Sequence, residues 1–211
     1  MPTGPRFITL EGGEGAGKST QAKRLKSALE AHGASVCLTR EPGGSPGAEE
    51  IRRLLVQGEP GRWDALTELL LLFAARADHL AHTIRPALQA GQWVISDRFT
   101  DSTYAYQGAG RGIDEKTIAA IDEATTRSFR ADLTIILDVP PEQGLSRAGR
   151  RGDVETRFEQ FDHDFHERLR AWFRGLAARE PDRCALIDTT APPDVVTAGI
   201  WKVVSKRFLG A

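Results

Sequence analysis

Phe7-Ile-Thr-Leu-Glu-Gly-Gly-Glu-Gly-Ala-Gly-Lys-Ser-Thr20 is the stretch that decides the fold. Phe7, Ile8 and Leu10 make the short apolar run that a buried strand needs. Gly12, Gly17, Lys18 and Ser19 then stand at the spacing of a phosphate-binding loop. Gln21, Ala22, Lys23, Leu25, Ala28 and Leu29 suit a helix behind it. Glycines let the backbone turn successive N–H groups inward onto an anion, and the helix N-terminus adds its positive dipole end. Lys18 can reach the β- and γ-phosphates of a nucleotide, and the Ser19 hydroxyl can take one position on Mg²⁺. Gly12, Gly13, Glu14, Gly15, Ala16, Gly17, Lys18, Ser19 and Thr20 are therefore the expected polyphosphate cradle. A plain glycine-rich turn before an ordinary helix is the alternative; the strand before and the helix after weigh against it.

Working outward, 211 residues suffice for one domain over 1–211 with a substantial core. A net charge of −1 gives no reason to expect a nucleic-acid polymer or a membrane surface as partner. No apolar run reaches the ~18 residues of a membrane span, and the first six residues do not read as a signal peptide. Cys37 and Cys184 lie far apart without metal-ligand spacing, so reduced thiols in a cytoplasmic setting are expected.

Further strands are expected at 36–39, 93–96, 133–138 and 185–187, with helices between them. That alternation predicts an α/β fold: a five-stranded, mainly parallel sheet with helices on both faces. Residues 64–90 read as a long helical region that Arg85-Pro86 would kink or divide. Within it Arg76 interrupts an apolar run; a surface-reaching arginine and a functional one are equally compatible with that pattern. Asp97-Arg98 closes a strand at its carboxyl end, where ligands gather in open α/β sheets. Asp101 or Ser102 is the expected cap of the next helix. Asp138 ends the most strand-like run and is open to either a nucleotide-site or a packing role. Residues 141–157 carry Arg147, Arg150 and Arg151 with little apolar content, as a solvated face or a mobile lid would. Phe158, Phe161, Phe165, Leu169, Trp172, Phe173 and Leu176 recur at helical spacing and predict core or dimer packing.

Set together, these motifs resemble those of the bacterial thymidylate kinases, P-loop nucleoside monophosphate kinases with the P-loop NTP hydrolase fold. The resemblance rests on Glu11-Gly-Gly-Glu-Gly-Ala-Gly-Lys-Ser-Thr20, Thr39-Arg-Glu-Pro-Gly-Gly44, Phe73-Ala-Ala-Arg76, Asp97-Arg98-Phe99 and Tyr106-Gln-Gly-Ala-Gly-Arg-Gly-Ile113. The second and last are the most specific. The resemblance implies phosphorylation of dTMP to dTDP by ATP with Mg²⁺, and a homodimer. It places Arg40, Arg52 and Arg98, with Pro42, around the 5′-phosphate of dTMP, where guanidinium forks match phosphate oxygens. It gives Arg76, Thr103 and Gln107 the pyrimidine edge, Tyr106 the sugar, and Glu14 the 3′-hydroxyl or an associated cation. Asp97, with Ser19, would order the Mg²⁺ shell. Relatives commonly carry a base-stacking phenylalanine four residues before the arginine, where this chain has Leu72. The expectation here is that Phe73 stacks through a local helix distortion, although one residue turns a helical side chain by about 100°.

Phosphoryl transfer spreads negative charge over the moving group, and a second cation beside Lys18 is needed. Gly13, Glu14, Gly15 and Ala16 supply none, so the expected source is the lid: Arg150 or Arg151 at the transition state, with Arg147 in reserve on ATP. A kinase of the same fold acting on another monophosphate is the nearest rival. A GTP-binding switch would need an Asn-Lys-x-Asp guanine motif, which the sequence lacks. A structural protein keeping only the loop would have no use for the phosphate-facing arginines.

Overall fold

The computed structural model describes residues 4–59, 61–150 and 157–210. Its five strands are β1 (Phe7–Glu11), β2 (Val36–Arg40), β3 (Trp93–Asp97), β4 (Leu133–Asp138) and β5 (Cys184–Asp188). They form one sheet in the order β2-β3-β1-β4-β5, and every neighbouring pair is parallel. The chain order gives the expected α/β sheet its crossovers, and β1, with the phosphate loop at its end, lies in the middle.

Strand periodicity sends alternate residues to opposite faces. Ile8 and Leu10 of β1, Trp93 and Ile95 of β3, and Leu133, Ile135 and Leu137 of β4 share one core with Leu25 and Leu29 of α1 (Lys18–Ala31) and Ile200 and Val204 of α9 (Pro193–Phe208). On the opposite face Phe7 and Val94 meet Leu80, Ile84 and Phe99. Ile136 on that face meets Phe165, Leu169 and Phe173 of α8 (His163–Arg179). The aromatic stripe is thus core: Phe165, Leu169, Phe173 and Leu176 are buried, with Phe158, Phe161 and Trp172 half-buried beside them.

The remaining helices are α2 (Pro46–Val56), α3 (Ala65–His79), α4 (Arg85–Gln89), α5 (Thr100–Thr103), α6 (Glu115–Thr126) and α7 (Pro141–Gly149). Between α3 and α4 lies a π-helical turn, Leu80–Ile84. Pro86 removes an N–H donor and crowds the carbonyl four residues before it, and the wider turn absorbs both effects. A second π stretch, Tyr104–Gly110, follows α5. The expected cap at Asp101 or Ser102 is not formed: α5 begins at Thr100 after Phe99, with no side-chain cap. Asp101 instead receives both guanidinium nitrogens of Arg183 at 2.7 and 3.0 Å and the Thr134 hydroxyl at 3.0 Å. The buried Ser102 hydroxyl donates to Glu11 Oε2 at 2.5 Å. Asp138 belongs to packing: its carboxylate takes Arg170 at 2.8 Å and Arg174 at 2.7 Å, both from α8.

Cys37 lies on β2 and Cys184 on β5, the two edges of the sheet. Four strand spacings of ~4.8 Å separate those edges, well beyond the ~7 Å reach of a disulfide. Burial pushes the Cys184 thiol up to about 12 and raises that of Cys37. Without reductant, mass spectrometry should therefore find two alkylatable thiols after unfolding, with slow labelling of Cys184 before it. An intramolecular disulfide would contradict the strand order.

Candidate active site

The carboxyl ends of β1, β2 and β3 open into a cavity of about 530 Å³. Its wall unites Glu14, Gly15, Gly17, Lys18 and Ser19 of the loop with Arg40, Pro42, Arg52, Arg76, Asp97, Arg98, Thr103, Tyr106 and Gln107. Residues from six separate stretches of the sequence thus converge on one space. Gly12 and Gly13 lie behind the loop, towards Leu137 and Val139, and Ala16 packs into the core under it. Thr20 is exposed on the first turn of α1.

The loop is close-fitted to its surroundings. Gly12 has φ 132°, and a Cβ there would stand 2.4 Å from the Leu137 carbonyl oxygen. At Gly144 of α7, a Cβ would stand 2.3 Å from the Glu14 carbonyl oxygen, so the helix that leads into the lid rests directly on the loop.

Lys18 donates to the Gly13 carbonyl at 2.7 Å and the Gly12 carbonyl at 3.2 Å. Burial, with Arg98 adding to it, pushes its amine down to about 8, although Glu14, Asp97 and Glu11 oppose the shift. The Ser19 hydroxyl donates to Asp97 Oδ2 at 2.5 Å. A hydroxyl and a carboxylate oxygen side by side are the hard donors that suit Mg²⁺.

Arg98 adopts φ 72°, unusual for a side chain of its size. The turn sends Asp97 to Ser19 and carries the Arg98 guanidinium across to the Gly12 carbonyl at 2.9 Å and Glu14 Oε1 at 2.8 Å. The Tyr106 hydroxyl also donates to Glu14 Oε1, at 2.7 Å, and its ring lies 4.8 Å from the Arg98 guanidinium carbon. Burial alone would raise the Glu14 carboxyl, but Arg98, Lys18 and the tyrosine bond together bring it down to about 2.

Arg76 is not a surface-reaching residue; it is 2% exposed. Its Nε donates to Glu41 Oε2 at 2.8 Å and its Nη2 to the Thr103 hydroxyl at 2.9 Å, while Nη1 has no partner among the described residues. His79 secures the other oxygen of Glu41 at 2.9 Å. Arg52 donates to the Pro42 carbonyl at 2.5 Å, and the exposed Arg40 pairs with Glu49 at 3.2 Å.

Phe73 does not meet the expectation set for it. It is 1% exposed and packs with Leu69 and Ile118, while Leu72 faces the cavity. The α3 helix is regular through this turn, and the π distortion begins only at Leu80, too late to rotate Phe73. The ring supports Arg76 instead: the guanidinium carbon lies 4.9 Å from the Phe73 ring and 5.2 Å from that of Phe99.

Neither Arg147 nor Arg150 lines the cavity. Arg147 donates to the Thr189 carbonyl at 2.9 Å, next to β5. Arg150 ends α7 and is exposed, and Arg151 lies outside the described residues.

Sequence reasoning missed four participants. Glu41 stands inside a quoted motif but had no role. Glu11, buried beside Asp101, is pushed up to about 8 and receives the Phe99 N–H at 2.7 Å. Glu68 and Arg157 form a fully buried ion pair at 2.5 Å. Neither had a local signal: α3 also carries Arg76 and Asp78, so Glu68 does not stand out on it, and nothing near Arg157 in the sequence marks that residue.

A family model described as "Thymidylate kinase" matches residues 10–200. A thymidylate kinase of Caulobacter vibrioides is 55% identical over 202 residues, covering 96% of this chain and 97% of the relative. One of Jannaschia sp. is 51% identical over 207 residues, covering 98% and 99%. This chain belongs to the thymidylate kinase family. The crystal structure of the thymidylate kinase from Ehrlichia chaffeensis superposes with a TM-score of 0.78 at 34% identity, covering 96% of this chain and all of that one.

The depressed amine of Lys18 makes a prediction about polyphosphate binding. Bound phosphates would hold the proton on Lys18 and raise its pKa, so binding requires the protonated amine. ATP affinity, followed by calorimetry, should be level below pH 8 and fall by about tenfold per pH unit above it. A Lys18→Met variant should bind weakly without that limb. A flat profile in the parent would contradict the assignment.

Proposed function

We propose that this chain is an ATP-dependent dTMP kinase, transferring the γ-phosphoryl of ATP to the 5′-phosphate of dTMP to give dTDP and ADP. The observation that carries the reading is the cavity that the phosphate loop shares with Gln107 and with a buried arginine, Arg76, one of whose donors has no partner among the described residues. One end suits phosphates and the other a planar, hydrogen-bonding base. An oxygen of the acceptor phosphate attacks the γ-phosphorus, the bond to the β-bridging oxygen breaks, and ADP carries away the electron pair.

Loop N–H groups and Lys18 hold the ATP phosphates. Arg98, with Arg40 and Arg52, draws the acceptor phosphate to the end of β3 and neutralises it for attack. Glu14, kept ionised by Arg98, is placed to accept from the sugar 3′-hydroxyl, and the Tyr106 ring flanks the sugar. Arg76 and Thr103, with Gln107, take the pyrimidine edge, and Leu72 offers an aliphatic surface in place of a stacking ring. Ser19 and Asp97 would hold Mg²⁺, which when bound neutralises phosphate charge. A cytoplasmic setting accords with two reduced thiols.

The lid, 141–157, completes the charge balance by closing Arg150 or Arg151 over the moving phosphoryl group. Coupled ADP release with dTMP, dUMP, dCMP and AMP tests the whole reading. Turnover should be highest with dTMP, and Arg150→Ala or Arg151→Ala should lower kcat by ~10²-fold with a smaller change in dTMP KM. Preference for AMP would contradict the substrate assignment; alanine at Arg147, Arg150 and Arg151 together with kcat within a few-fold would remove the lid from the reaction.

The active unit in this proposal is a homodimer. Leu66 and Leu70, four residues apart on α3, are each 50% exposed, and Ala74 continues the same exposed stripe. A second copy of that face would cover it. Sedimentation equilibrium should give the dimer mass, and Leu70→Glu should shift it to monomer; a parent that sediments as a monomer at micromolar concentration would contradict this.

A further inference from the structure

Glu68 lies on α3 with its side chain fully buried. Its two oxygens do different things. Oε2 receives Arg111 Nη1 at 3.0 Å and pairs with Arg157 Nη2 at 2.5 Å. Oε1 receives the side-chain amide nitrogen of Gln107 at 3.0 Å. Arg157 is itself anchored by the Leu55 carbonyl at 3.0 Å and is 1% exposed, so the carboxylate is clamped from behind.

We propose that Glu68 is the positioning residue that sets which pyrimidine the site accepts, by fixing the amide of Gln107 in one of its two orientations. This rests on the dTMP kinase reading. A carboxylate held by two guanidiniums offers only acceptors, so the NH₂ of Gln107 must turn towards it. The reversed amide would set two oxygens face to face at about hydrogen-bond distance. The carbonyl oxygen is therefore the end left for the base. Arg76, bonded to Thr103 four residues before Gln107, lines the same cavity and carries an Nη1 donor with no partner among the described residues. An acceptor next to a donor matches the N3–H and O4 of a thymine or uracil edge. Cytosine presents the reverse, a bare N3 and an amino group, and meets like against like at both positions. The discrimination originates in the charge on Glu68, a residue that need not touch the nucleotide.

Glu68→Gln in the full chain tests this, with ADP release measured against dTMP and dCMP at saturating ATP. An amide at position 68 offers a donor as well as an acceptor, so Gln107 becomes free to turn over. The ratio of kcat/KM for dCMP to that for dTMP should rise at least ~10-fold, carried by a higher KM for dTMP, while the KM for ATP stays level. Glu68→Asp keeps the acceptor-only group and should hold the parent ratio. Loss of both substrates in equal proportion in Glu68→Gln would make Glu68 structural only and overturn the proposal. Should that variant fail to fold, labelled parent protein with dTMP decides by nuclear Overhauser contacts. Gln107 amide protons that stay beside the Glu68 γ-protons support the proposal, and amide protons that turn to the base overturn it. A parent with no dTMP turnover would instead refute the underlying reading, which keeps the two failures apart.

Discussion

The half-buried pair of Arg98 and Glu14 is the interaction on which the site depends. Arg98 stands at the end of β3, with its N–H bonded to the Leu10 carbonyl of β1 at 3.0 Å. Its left-handed backbone costs about 1–2 kcal/mol for a residue with a Cβ. What the turn yields is a guanidinium that spans from the sheet to the loop, bonding the Gly12 carbonyl, Ser102 and Glu14. Removing either partner would leave the other charge half-buried without its counter-ion, which costs stability. Phosphate loop and acceptor cavity are thereby one electrostatic unit.

That coupling organises the proposed reaction. Glu14 projects from the middle of the phosphate loop, and Tyr106, from the π stretch after α5, bonds the same oxygen. The loop proposed to grip the donor phosphates is therefore in contact with the residues proposed to hold the acceptor's phosphate and sugar. On its other side the loop touches Gly144, one turn into α7, the helix with which the proposed lid segment begins.

How much of this was legible depended on the range of the interactions. The strands were readable because both sheet faces are covered, leaving continuous apolar runs such as Leu133–Asp138. The loop was legible from its glycine, lysine and serine spacing, and Asp97-Arg98 from its place at a strand's carboxyl end, whereas Arg40, Arg52 and Arg76 entered the reading through the family resemblance. Phe73 failed because its assignment turned on one residue of helical phase, and nothing local announces where a helix stays regular. The Glu68–Arg157 pair was invisible because its partners are 89 positions apart and each, taken alone, looks like an ordinary charged residue. Asp101 looked like a cap because it precedes a helical pattern; Arg183, from the loop before β5, claimed it first.

A crystal structure with dTMP and a non-hydrolysable ATP analogue tests the central claim most directly. The account predicts the acceptor phosphate against the Arg98 guanidinium while Arg98 keeps its bond to Glu14, with the pyrimidine edge between Arg76 and Gln107. A nucleotide bound elsewhere, or an Arg98 that swings away and leaves Glu14 unpaired, would contradict it.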